Sequence, residues 1–165
     1  DNYPRTIGSV PYTTTLGVVS HFYGVNYTLG GMFAIKGQDF ELTKGFPNLW
    51  GWGFEDNEMQ NRSIDVGLRI DRSSFFPIND PAIIHESNGQ YRIFSANELI
   101  SYKRGILGNI TSLKNVSWEL NGNMINITGF ETETLPKQQD FRAHNIKTSL
   151  VTIRRRPRGR SMIFG

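Results

Sequence analysis

One stretch constrains this chain more than any other: Trp50-Gly51-Trp52-Gly53-Phe54-Glu55-Asp56-Asn57-Glu58. Two tryptophans separated by glycine on a loop are costly to display unless they stack on something flat. Sugar rings present apolar C–H faces that indoles cover well, and their hydroxyls need acceptors such as carboxylates. Three acids, Glu55, Asp56 and Glu58, follow the aromatic residues immediately. From Glu55 to Val66 the pattern is helical, with Met59, Ser63 and Val66 along one side and Gly67 as the stop signal. The N–H groups and dipole of such a helix start are expected to keep nearby carboxylates ionised. An ionised carboxylate beside a bound hydroxyl can serve as a general base, worth roughly 10²–10⁴ in rate. The competing reading is an acid-rich helix start preceded by core tryptophans.

Length and composition narrow the setting. The 165 residues make one domain or one lobe of a larger catalytic unit, and 38% hydrophobic with 12% aromatic residues predicts a packed globule. No apolar run approaches the roughly 20 residues that span a bilayer, and the start lacks a signal-peptide pattern. The absence of cysteine excludes disulfides, thiolate metal sites and cysteine nucleophiles, and it fits a reducing compartment. A cytoplasmic or viral setting is therefore favoured over the Golgi lumen. Subtracting the five arginines of residues 154–165 from the net charge of +3 leaves −2 for the remainder, so the basic character lives in a tail. That argues against a whole-domain nucleic-acid binder and leaves a basic arm for an anionic partner.

Strands are predicted at His21–Tyr27 and Met32–Ile35, on either side of Gly30-Gly31, two glycines that suggest a bend approached closely by another chain or a ligand. A short helix over Gln38–Lys44 ends at Gly45. Leu68–Ile70 and Ser74–Phe76 are candidate strands. Val116–Leu120 alternates, Asn121-Gly122 signals a two-residue turn, and Met124–Thr128 resumes the β pattern, which together predict a hairpin. Residues 132–145 are polar, and Ser149–Ile153 is strand-like. Mixed short helices and strands indicate an α/β or α+β fold.

Gly30-Gly31, then Gly45-Phe46-Pro47-Asn48, then Trp50-Gly51-Trp52-Gly53-Phe54-Glu55-Asp56-Asn57, with Asn61-Arg62 behind them, resemble the C-terminal catalytic part of the β-1,4-galactosyltransferase family in order and spacing. The likeness is clear over about residues 24–86 and fainter through the hairpin. It implies an α/β fold of GT-A type, of which this chain would be the acceptor-side half. Residues 1–135 would form the galactosyltransferase-like domain, incomplete at its N-terminus, and 136–165 a polar and basic extension. It further implies a UDP-sugar donor, a glycan or glycoconjugate acceptor, inversion at the transferred hexose (galactose first) and Mn²⁺ or another divalent cation. By position, Asp56 would be the base, Glu55 and Asn57 would hold acceptor hydroxyls, and Gly30 and Gly31 would admit the acceptor sugar. Trp52 would lie on the mobile loop over the donor, and His85 would be a metal ligand whose cation neutralises the departing diphosphate.

Several positions depart from the family pattern. Phe54 stands where the family has a second glycine, Asn57 where it has an acid, and Ala82 where animal enzymes have a methionine metal ligand. The family's Asp-x-Asp motif is absent before Gly30, so an upstream segment is expected to be missing or supplied by another chain. Two alternatives remain: a carbohydrate-binding or structural module derived from this fold, and a retaining transferase like the polypeptide GalNAc-transferases. His21 and His144 have no acidic partner pattern and receive no role. Arg62 is expected to pair along its helix, and Asp71 and Asp80 to be turn residues.

Overall fold

In a computed structural model of the chain, residues 2–86, 91–105, 107–132 and 141–145 are described. The architecture is mixed α/β. Its centre is β2 (Val18–Gly24), which pairs antiparallel with β3 (Met32–Ala34) and in parallel with β4 (Arg69–Asp71) and, further along, β5 (Phe76–Pro77). The helix α1 (Gly37–Leu42) follows β3, and α2 (Glu55–Asp65) forms the crossover before β4.

The pleat sends alternate side chains to opposite faces, and each face has its own apolar cluster. Val19, Leu29, Met59 and Leu68 are buried together on the α2 side, backed by Phe33, Phe40 and Phe46. Phe22, Tyr23, Met32, Val10 and Ile83 form the other cluster. Adjacent Phe22 and Tyr23 join the same cluster because the register of β2 shifts between His21 and Tyr23, a bulge that breaks the alternation.

Several predicted elements match the observed ones closely. The helix predicted to start at Glu55 does so, with Met59 and Ser63 buried; Val66, expected on the same side, is exposed because the helix has already ended. The hairpin is β8 (Lys114–Asn121) with β9 (Met124–Glu131), but its two-residue loop is Gly122-Asn123, one position later than predicted. Gly122 takes φ 60°, the conformation that the first loop residue of such a tight turn requires.

Three features were not anticipated. β1 (Asn2–Pro4) pairs with β6 (Ile83–His85), across most of the N-terminal sequence. β7 (Tyr91–Ser95) pairs with β10 (Phe141–Asn145), inside a segment expected only to be polar. The helix α3 (Ala96–Arg104) begins at Ser95, whose hydroxyl accepts from the Glu98 amide, and ends at Gly105 in the left-handed region. Ser95-x-x-Glu98 followed by Gly105 is a start-and-stop signature visible in the sequence. The strand-like Ser149–Ile153, the arginine run and most of the proposed 136–165 extension lie outside the described residues. No helix among the described residues is long and apolar enough to cross a membrane.

Candidate active site

The aromatic loop is on the surface. Trp50 and Trp52 are 46% and 50% exposed, which removes the reading of both as core residues. Trp50 stacks on Phe130 at 6.3 Å and 19°, whereas Trp52 meets Phe94 edge-on at 5.2 Å and has the Arg92 guanidinium 5.9 Å from its ring centre. The backbone is pinned as well. Glu98 accepts from the amides of Trp50 and Gly51, each at 2.7 Å, and the Trp52 amide donates to Ile93 carbonyl oxygen at 2.6 Å. An open cleft of about 520 Å³ lies along this loop, lined by Trp50, Trp52, Glu55, Tyr91 and Ile93 among others. Trp50 also walls a largely apolar hollow of about 390 Å³ shared with Leu49, Val116, Ile127 and Phe130 of the hairpin side.

Phe54 caps α2 at φ 74°, a left-handed conformation that glycine adopts freely and phenylalanine rarely does. The glycine of the related motif is thus explained by backbone geometry, and here the strain is offset by stacking of Phe54 on Tyr102 at 4.5 Å. Glu55 lines the cleft, and its Oε2 is buried without a hydrogen-bond partner among the described residues, which suits acceptance from a ligand hydroxyl. Asn57 sits half-buried in the same first turn.

Asp56 differs from its neighbours. Its carboxylate packs against Gly30, where any Cβ would overlap Oδ2. The Leu29 amide donates to the Asp56 carbonyl at 3.1 Å, fixing the same approach from the backbone. Burial first, and the negative charge of Glu55 second, push the Asp56 carboxyl up to about 6. This corrects the expectation that the helix start would hold the carboxylates firmly ionised: for Asp56 desolvation outweighs the dipole. The missing side chain of Gly30 also makes room for Asp56. Gly31, at φ 81°, is exposed beside it.

His85 is exposed on β6, its Nδ1 3.5 Å from the Tyr23 hydroxyl. It can offer one nitrogen to a cation, but no group of three His, Cys, Asp or Glu side chains able to hold a metal occurs among the described residues. These residues alone do not compose a metal centre. Arg62 pairs with Glu58 at 2.9 Å as expected, and its guanidinium also donates to the carbonyls of Gly45 and Gly108. Asp71 and Asp80 accept from the amides two residues on, as turn residues do. His21, given no role, is buried beneath Gly30, a contact between residues nine apart that no local pattern announces.

Comparison with known proteins agrees with the motif. A family model described as the N-terminal domain of galactosyltransferase matches residues 11–85, which include the entire aromatic and acidic loop; the resemblance drawn from the motif had placed the same residues in the catalytic C-terminal part. The aromatic and acidic loop is therefore similar to that of the galactosyltransferases. More narrowly, the chain is similar to proteins of the β-1,4 group. It is 26% identical to β-1,4-galactosyltransferase 5 of Mus musculus over 69% of this chain and 30% of that protein, and 25% identical to the Homo sapiens protein over 68% and 31%. A 44-residue segment is 46% identical to β-1,4-galactosyltransferase 1 of Mus musculus, covering 26% of this chain and 11% of that protein. The matched region spans under a third of the length of the first two relatives. No solved structure matches the chain.

Proposed function

We propose that this chain is the acceptor-side part of a hexosyltransferase of GT-A type, moving galactose from UDP-galactose to a sugar hydroxyl with inversion. Asp56 takes the proton from the acceptor hydroxyl as its oxygen attacks C1. The C1–oxygen bond to the diphosphate breaks, and UDP leaves with the bonding pair. Glu55 and Asn57 accept from or donate to other acceptor hydroxyls, and Trp52 covers the donor side of the cleft. His85 is the one ligand this chain would lend to a divalent cation such as Mn²⁺, which when bound neutralises the diphosphate.

The observation that carries this reading is the Asp56 carboxyl, lodged against Gly30 and pushed up to about 6, one residue beyond Glu55 of the cleft. A base with a midpoint just below neutral is ionised at pH 7 and still basic enough to accept a proton, whereas an ordinary surface aspartate is a far weaker base. In the full-length protein, Asp56→Asn should lower turnover by roughly 10²–10⁴ while UDP-galactose binding, measured by calorimetry, is retained. Undiminished turnover removes Asp56 from the role. Glycan binding that is indifferent to UDP, with no transfer, would instead favour a binding module.

A further inference from the structure

Among the buried polar side chains that the proposed chemistry leaves unused is His21. It lies on β2 and is 1% exposed. Its Nδ1 faces the Nε–H of Arg72 at 3.0 Å, and an arginine can only donate. The proton of the neutral ring therefore sits on Nε2, which donates to the Gly30 carbonyl at 2.9 Å and to the Tyr23 carbonyl at 3.0 Å. Burial, with Arg72 adding its charge, holds this imidazole below the usual histidine range, so the ring stays neutral at pH 7. Room for the contact comes from Gly24, at φ 141°, where a Cβ would overlap the Gly30 carbonyl.

Arg72 carries the arrangement to α2. Its Nη2 donates to Gln60 Oε1 at 2.7 Å and to Thr28 carbonyl at 3.4 Å, and Gln60 Nε2 donates to Tyr27 carbonyl at 2.9 Å. Gln60 stands one helical turn beyond Asp56. Residues 27–30 are thus tied at each position, to Gln60, Arg72, the Asp56 backbone and His21 in turn. Phe75 closes the far edge of the imidazole at 4.9 Å.

We propose that His21 is a positioning residue: locked by Arg72 and Gln60, it holds the Gly30 backbone against the Asp56 carboxylate and keeps water off it. The inference rests on the reading of Asp56 as the base, and it concerns only the environment of that carboxylate. A loosened Gly30 segment would let water reach Asp56 and return it toward an ordinary aspartate. Glu55 is the neighbouring charge that acts on Asp56, and it does not depend on His21.

Two readouts test this on the chain and on the full-length protein. Carbon-13 NMR of the Asp56 carboxyl follows its titration directly, without any need for activity. His21→Leu should lower the Asp56 midpoint from about 6 to below 5, and His21→Gln, which restores an N–H near the place of Nε2, should return it upward. In the full-length protein the acid limb of turnover should move down by the same amount, with kcat reduced about tenfold and KM little changed. If His21→Leu does not fold, Gln60→Leu removes the α2 end of the lock and should shift the midpoint in the same direction by less. An unchanged midpoint in a folded variant of either kind overturns the proposal. A midpoint that moves while the acid limb of turnover stays put leaves the lock standing and takes the base role away from Asp56.

Discussion

The molecule divides into a part that buries its side chains and a part that does not. Every buried hydrophobic residue among those described lies between Val10 and Ile83, in the sheet, α2 and the loops that join them. Among the described residues after 91 only Ser95 is buried, and the hairpin of β8 and β9 exposes Trp118, Leu120, Ile125 and Ile127 on one face. The opposite face is tied by polar pairs such as Asn126 with Glu119. The hairpin is thus held by its own ladder and by contacts at its rim, while the first part is held by a core. The proposed base belongs to the first part. The cleft lined by the preceding residue, Glu55, is shared between the parts, since Trp50, Trp52 and Glu55 line it together with Tyr91 and Ile93.

Substitutions can measure that division. The largest stability effect is expected at Met59, fully buried between α2 and the sheet. Met59→Ala should destabilise the fold by about 2–5 kcal/mol in chemical denaturation, through lost transfer energy and the cavity left behind. Next comes Glu98, which joins the two parts by accepting two amides of the aromatic loop. Glu98→Gln keeps the shape but removes the charge and one acceptor, and should cost about 1–3 kcal/mol. Because the loss is local, it should appear first as faster proteolysis of residues 49–53 and as a shift in tryptophan emission.

Asp56→Asn should act in the opposite direction on stability. With its folded midpoint raised to about 6 from 3.8, Asp56 contributes stability that is complete below about pH 4 and lost as pH rises through 6. At pH 7 the asparagine variant should therefore be more stable by about 1–2 kcal/mol, discounting for partial exposure, and the gain should vanish near pH 4. A variant that is both inactive and stabilised marks a site maintained at the expense of the fold. The smallest effect is expected at Leu120, 68% exposed on the hairpin. Leu120→Ala should change stability by under about 0.5 kcal/mol. A cost comparable to that at Met59 would show that the hairpin face is covered in solution and would erase the division.

Legibility followed the range of the interactions. The helix from Glu55 and the hairpin could be read because each depends on periodicity or turn chemistry within a few residues, whereas the spacing of Gly30-Gly31, Asn48 and Glu55 was read only through a family resemblance. The helix α3 was legible too, through Ser95, Glu98 and Gly105, and was missed. The pairing of β1 with β6 and of β7 with β10 was not legible, since such short strands carry no alternation of their own and gain stability only from distant partners.

Sequence alone determined which groups stand together at the start of α2: two indoles, a run of acids and the glycines that allow the loop its path. Covalent neighbourhood and helical spacing suffice for that. Only the tertiary structure decided what those groups experience. It set Gly30 against Asp56 so that burial overrode the helix dipole, placed Phe54 in a glycine-like conformation on Tyr102, and drew His21 beneath the bend. The reason is physical: desolvation and close packing depend on what surrounds a group in space, and those surroundings come from residues far along the chain.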